Sequence, residues 1–556
     1  MNAATGGGPE TTGREARGAL APLANPTYRT FWVASLASNL GGLIQAVAAA
    51  WTMTTLAASA DMVALVQAST TLPIMLFSLA SGAIADNFNR RRVMIAAQVG
   101  MLAVSVALAV CAWANLLTPW LLLGFTFAIG CGVALNNPSW QASVGDIVPR
   151  QDLPAAVALN SVGFNLTRSV GPAIGGVIVA TLGVAAAFAA NALSYFAIIA
   201  ALLVWKPDLP LRKLPPESLG QAMGAGLRYT AMSPHIGVVL LRSFLFGLTS
   251  IAVLALLPIV SRNLVGGGAL TYGLLLGAFG LGAIGGAFLG AWLRARLTSE
   301  WVVRIAFCAF AVAAAVAAVS PLAWATGLGL ALGGAAWVLA LSLFNVTVQL
   351  STPRWVVGRT LALYQTATFG GMALGAWLWG LVAERHGTET ALLAASACMV
   401  AAGLVGFLLP LPDRGELDLS PLDRFREPTL GLDLAPRSGP VAITVEYRIR
   451  ETDVPEFLSA MADRQRMRQR DGARLWTLMR DLEDPQIWVE FYQTATWIDY
   501  LRHHERSTRA DAEIVDHLRD LHIGPDRPRV RRRLVRQTRW LPQAQPHHGQ
   551  SPLDPH

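Results

Sequence analysis

Apolar runs of about twenty residues recur along most of this chain, and a run of that length is what a helix needs to cross a bilayer. Candidates fall near 31–56, 63–85, 93–114, 119–138, 155–180 and 183–205. A polar stretch follows, from Lys206 to about His235, and then come runs near 236–260, 271–293, 302–319, 323–350, 357–383 and 388–409. The pattern predicts an all-α membrane protein of twelve transmembrane helices in two six-helix halves. Composition agrees, since 53% of the 556 residues are hydrophobic and only 14% are charged, against about a quarter charged in a soluble protein.

The charges set the orientation. Residues 1–410 hold 20 Lys and Arg against 11 Asp and Glu. With the N-terminus in the cytoplasm, the inner loops collect Arg90, Arg91, Arg92, Arg150, Lys206, Arg212, Lys213, Arg228, Arg294, Arg296, Arg354 and Arg359, while Arg262 and Arg385 lie outside. Basic inner loops are the rule for membrane proteins. The expectation is a multi-pass protein of the cytoplasmic membrane with both termini inside, the lipid bilayer as partner and no nucleic acid. Cys111, Cys131, Cys308 and Cys398 lie within apolar runs without metal-ligand spacing and read as small core residues. The polar, Gly-rich start has no apolar core of a signal peptide.

The halves echo each other. Asn137 to Gln141 (NPSWQ) precedes Pro149-Arg150, and Asn345 to Gln349 (NVTVQ) precedes Pro353-Arg354, with Gly171 and Gly375 equally spaced from those arginines. Transporters built from repeats place the substrate between them, near the midplane.

Between spans 2 and 3 stands Gly82-x-x-x-Asp86-x-x-x-Arg90-Arg91-Arg92. It resembles the signature loop of the major facilitator superfamily, with Asn87 in place of an Arg and Asn89 in place of a Gly, a residue Asn can replace in a left-handed turn. The resemblance implies a conformational switch in which Gly82 allows close helix contact and Asp86 meets a helix N-terminus or an arginine. In span 5, Gly171-Pro172-x-x-Gly175-Gly176 resembles the antiporter motif of the same superfamily, a gating helix in exporters. Further stretches, 38–54, 64–73, 136–150 and 159–172, resemble the branch that holds siderophore exporters. What this implies is secondary active export of a small organic molecule by alternating access, coupled to protons. A facilitator or importer of a metabolite, and an exporter fused to a small enzyme, stay open as alternatives.

Polar groups inside spans are functional candidates because burying them is expensive. The cavity candidates are Asn39, Gln45, Asn137, Gln141, Asn165, Arg168, Asn345, Gln349 and Tyr364, with Asn160 and Gln365 beside them. No Asp or Glu lies deep in a span, and Arg242 reads as reaching to the cytoplasmic face.

After Leu409 comes a Pro-rich linker, 411–440, and then a different physics. Residues 441–449 alternate like a strand, 454–472 read as a helix, 474–495 as two strands turning at Asp484-Pro485, 497–522 as a helix and 529–537 as a strand. The order β-α-β-β-α-β predicts an α+β ferredoxin-like domain over 441–540, which resembles antibiotic-biosynthesis monooxygenases and implies dimerisation. His503 and His504 are adjacent and read as solvated, and no phosphate loop, zinc motif or Cys pair is present. The expectation is no enzyme, no cofactor and no metal. The remaining boundaries are a cytoplasmic tail at 1–27, halves at 28–205 and 236–410, a central loop at 206–235 and a disordered tail at 541–556.

Overall fold

The computed structural model describes residues 20–57, 59–149, 152–206, 219–353, 355–411 and 428–536, together with Leu419 and Leu422. Residues 1–19 of the expected tail at 1–27, the whole expected tail at 541–556, most of the linker, and Arg150, Arg212, Lys213 and Arg354 lie outside the described residues. The chain forms two compact units, residues 1–417 and 418–556.

The first unit is helical: α1 (Pro26–Leu56), α2 (Ala60–Asn87), α3 (Arg90–Trp113), α4 (Pro119–Ile147), α5 (Leu153–Leu182), α6 (Val184–Val204), α7 (Leu219–Ala231), α8 (Pro234–Ile259), α9 (Ala269–Arg296), α10 (Ser299–Val319), α11 (Ala323–Leu350), α12 (Val357–His386) and α13 (Thr388–Leu404). Among the described residues, eleven helices are long and apolar enough to cross a membrane. The fifth expected span is a 30-residue helix, α5, but it is outside that set. Asn160, Ser161, Asn165, Thr167, Arg168 and Ser169 dilute its apolar character. The expected central loop also contains a helix, α7, whose sequence was too short and mixed to announce it.

Local chemistry sets the helix ends. Pro26, Pro119 and Pro234 occupy first turns, where a missing N–H costs nothing. The Asn25, Thr118 and Asn89 side chains accept from backbone N–H groups of Tyr28, Leu121 and Arg92. Gly183 alone separates α5 from α6, and Gly387 alone separates α12 from α13, at φ of 84° and 89°. Such a one-residue reversal needs a left-handed backbone, which glycine adopts without cost.

Packing repeats along the chain. α1 lies on α5 and α6, α2 on α4, and α3 on α4 and α6; likewise α8 lies on α12 and α13, α9 on α11, and α10 on α11 and α13. The two sets meet through α2 against α12 and α5 against α9. The repeated glycines do the same job in each set. A Cβ on Gly171 would stand 2.9 Å from Leu43 Cβ on α1, and one on Gly375 would stand 2.2 Å from the Leu248 carbonyl oxygen on α8.

The second unit holds β1 (Val441–Arg448), α14 (Val454–Arg470), β2 (Arg474–Arg480), β3 (Ile487–Thr494), α15 (Trp497–Glu505), α16 (Arg509–Asp520) and β4 (Arg529–Leu534). Its sheet is antiparallel in the order β2-β3-β1-β4. One expected helix is two, because Thr508 and Asp511 form a capping box that starts α16 afresh. Tyr447, Phe457, Trp488, Tyr492 and Tyr500 fill a separate core.

Candidate transport cavity and its charge clusters

A cavity of about 660 Å³ opens within the first six helices, toward the end that carries Arg90–Arg92. Asn39 of α1, Asn137 and Gln141 of α4, and Asn160 and Asn165 of α5 line it, with the Trp32 and Trp140 indoles. Gln98 and Asn136, which the sequence reading passed over, complete the amide surface; Gln98 Nε2 donates to Asn136 Oδ1 at 3.2 Å. Gln98 Oε1 is buried and has no partner among the described residues. The lone glutamine inside an otherwise apolar span 3 was the available signal. Among the described residues, those that line the cavity include no Asp, Glu, Lys or Arg.

Five expected cavity residues lie elsewhere. Gln45 is buried in a bridge of α1, α3 and α6, where Ser105 Oγ donates to Gln45 Oε1 at 3.1 Å and Asn191 Nδ2 donates to the same oxygen. Tyr364 is buried and its hydroxyl donates to the Leu341 carbonyl at 3.1 Å, tying α12 to α11. Asn345 accepts from Gln349 along α11. Arg168 leaves the first set altogether: its guanidinium lies 5.4 Å from the Phe279 ring and 5.6 Å from the Trp337 ring, on α9 and α11. A cation over two aromatic faces is attracted by their quadrupoles without needing an anion.

The motif on α5 serves two partners. A Cβ on Gly175 would meet Ile44 Cα of α1 at 3.0 Å, whereas one on Gly176 would meet the Ala269 carbonyl oxygen of α9 at 2.7 Å. The Pro172 carbonyl oxygen points at Gly273, where a Cβ would come within 2.4 Å. At that same end Trp51 stacks on Tyr272, Arg262 donates to the Thr54 carbonyl, and the Ala60 N–H donates to Glu384.

At the opposite end, the start of α3 is anchored within its own half. Arg91 donates from Nε to the Leu202 carbonyl and from Nη2 to the Leu203 carbonyl, both at 2.7 Å, so it caps the last turn of α6. Arg90 pairs with Asp146 at 2.8 Å, and Arg92 is exposed. Two expectations are corrected here. No described atom lies within 4 Å of a Cβ on Gly82, so no close contact among the described residues requires a glycine there. Asn89 is extended, at φ −66°, and acts as a helix cap and not as a left-handed turn. The Asp86 side chain lies outside those described.

Arg242 does not reach for the surface. It is fully buried and paired with Glu300, which also takes Arg304 Nε at 2.8 Å and the Leu411 N–H at 2.9 Å. The carboxylate at the start of α10 thus folds inward over Gly406, where a Cβ would strike Glu300 Oε1 at 2.0 Å. Cys308 and Cys398 are exposed on the surfaces of α10 and α13, outside the core they were expected to fill.

In the second unit, Glu490 is wholly buried and accepts from Arg464 Nε at 3.4 Å, Arg468 Nε at 3.2 Å and Trp476 Nε1 at 3.1 Å. Burial pushes its carboxyl upward, but the two guanidinia outweigh that and hold it below the ordinary value. His503, expected in solvent, is buried, with Nε2 2.6 Å from Arg468 Nη1. Because arginine can only donate, that nitrogen accepts and the ring is neutral; burial and Arg468 hold its pKa well below normal. The same causes lower His504 to about 3, and burial raises Asp471 to about 6.

Comparison with known proteins places this geometry. The family model described as transmembrane secretion effector matches residues 17–539, a span that takes in the C-terminal sheet. The enterobactin exporter EntS of Citrobacter koseri is 30% identical over 363 residues, 64% of this chain and 83% of that one. The staphyloferrin A transporter of Staphylococcus aureus is 26% identical over 256 residues, covering 46% and 64%. Among solved structures, a bacterial homolog of the human lysosomal transporter Spinster, inward-facing and occupied, shares the fold with a TM-score of 0.57 at 14% identity, covering 70% of this chain and 97% of that one. The POT family transporter PepTSo likewise gives 0.57 at 12% identity, covering 69% and 97%. The helical unit therefore has the major facilitator fold, and the chain belongs to the transmembrane secretion effector family.

Proposed function

We propose that this protein exports a small organic molecule, siderophore-like or drug-like, across the cytoplasmic membrane by alternating access between α1–α6 and α8–α13, in exchange for protons. The observation that carries the reading is the amide- and indole-lined cavity of about 660 Å³ at the end bearing Arg90–Arg92. Basic loops mark the cytoplasmic side, so the cavity takes its load from inside the cell. Uncharged amides donate and accept, and indole faces stack, which suits an oxygen-rich aromatic cargo. The names of the relatives, an enterobactin exporter and a staphyloferrin A transporter, support a siderophore-like cargo. Gly171, Pro172, Gly175 and Gly176 then form the gating helix, and the loop of Gly82, Asp86 and Arg90–Arg92 forms the switch. The C-terminal unit is a ferredoxin-like, non-enzymatic module in the cytoplasm, suited to pairing with a second copy.

The test uses inside-out vesicles and a catecholate siderophore. Uptake driven by an imposed proton gradient, abolished by a protonophore and by Asp86→Asn, is the expected result. Asn137→Ala with Gln141→Ala should raise KM about tenfold, the worth of one or two hydrogen bonds. Equal flux in both directions, indifferent to the gradient, would leave a facilitator.

A further inference from the structure

The second unit contains a cavity of about 350 Å³ between its sheet and its helices, at the small end of the range for ligand sites. Its charge is lopsided. Arg464 and Arg468 of α14 line it, each more than nine-tenths buried, with Arg519, Arg527 and Arg532 around them. Among the described residues the lining offers one acid, Asp511, and Arg519, one of the three exposed arginines, is met from outside the lining by Asp516 at 2.9 Å. Asp511 is already held by Arg470 at 2.9 and 3.0 Å and by the Thr508 capping box. Glu490, behind the lining, is shared by Arg464 and Arg468, one carboxylate between two guanidinia. The two buried cations thus have one anion between them, and buried cations are costly unless matched by anions.

Its walls specify the rest. Tyr447 and Tyr492 are buried and face the cavity, and Arg468 lies 4.3 Å from the Tyr492 ring centroid. His504, held neutral by burial and Arg468, also lines it and adds no competing charge. Guanidinium donors arranged as a fork match the two oxygens of a carboxylate, and phenol rings match a flat apolar body.

We infer that this cavity is a binding site for a small aromatic carboxylate, its acid group held by Arg464 and Arg468 and its ring lying against Tyr447 and Tyr492. The proposal concerns the second unit alone and stands apart from the transport reading. The experiment is calorimetric titration of the full chain in lipid nanodiscs with benzoate and with benzamide, its uncharged counterpart. Benzoate should bind at least about tenfold more tightly, the size of one charge-assisted hydrogen bond. Val515→Trp fills the cavity while leaving every ion pair described above in place, and it should abolish benzoate binding. Arg527→Gln at the exposed rim should weaken it without touching the Glu490 cluster. Absence of benzoate binding, equal binding of the two probes, or binding that survives both variants overturns the assignment.

Discussion

Gly176 on α5 and Gly273 on α9 meet backbone to backbone: a Cβ on Gly176 would come within 3.2 Å of the Gly273 Cα, and one on Gly273 within 3.0 Å of the Gly176 Cα. No side chain fits between them, and this contact joins the first set of helices to the second.

Gly176→Val should therefore act on the balance between conformations. Overpacking a tight contact costs about 1–3 kcal/mol, enough to shift a two-state equilibrium by about tenfold or more. With the native cysteines replaced and Ser38→Cys introduced in the cavity lining, thiol labelling from the side that bears Arg90–Arg92 should fall, together with transport. Labelling and transport both unchanged would mean that α5 and α9 never part.

Glu300→Gln should lower the melting temperature sharply. It leaves Arg242, with no exposure at all, facing a neutral amide, and an uncompensated buried charge costs about 3–5 kcal/mol. Arg304→Gln should cost less, since that side chain is 16% exposed and its loss leaves the Arg242–Glu300 pair intact. Equal melting temperatures for the two variants would show that the Arg242 pair contributes nothing.

The C-terminal unit should weaken as pH falls below about 6.5. Unfolded histidines take up protons there, while folded His503 and His504 do not, their values lying well below normal and at about 3. The unfolded state then binds more protons, so stability rises with pH across that window. Asp471 works the other way: raised to about 6, it adds stability at acid pH that is lost as pH rises from about 4 to 6. Two histidines against one aspartate give a net loss on acidification. Pulse proteolysis in urea at about pH 7 and pH 5 measures it, and His503→Gln should flatten the difference. A midpoint that rises on acidification would reverse the assignment.

Span length and strand alternation made the helical unit and the order of the C-terminal elements readable. The cavity was readable only in part, and geometry explains why. Asn137 and Gln141 are four residues apart, on one face of a helix, and both reach the cavity. Asn39 and Gln45 are six apart, roughly 240° around the helix, so they cannot share a surface. Nothing in a single sequence says which of the two faces the lumen. Arg242 was misplaced because its partner, Glu300, stands 58 residues away at a helix start. His503 could have been found: Trp497, Tyr500 and His503 recur every third residue, the stripe of a buried face, and all three are buried.

The two bonds from Arg91 to the last turn of α6 carry a mechanical consequence. Arg91 stands in the first turn of α3, so the start of α3 is pinned to the end of α6 and cannot swing away from it independently. With α3 and α6 held together at that end, any relative movement of the two sets has to be taken up where they meet, at α5 on α9 and at α2 on α12. A tie of this kind hands a shift at the start of α3 directly to the end of α6.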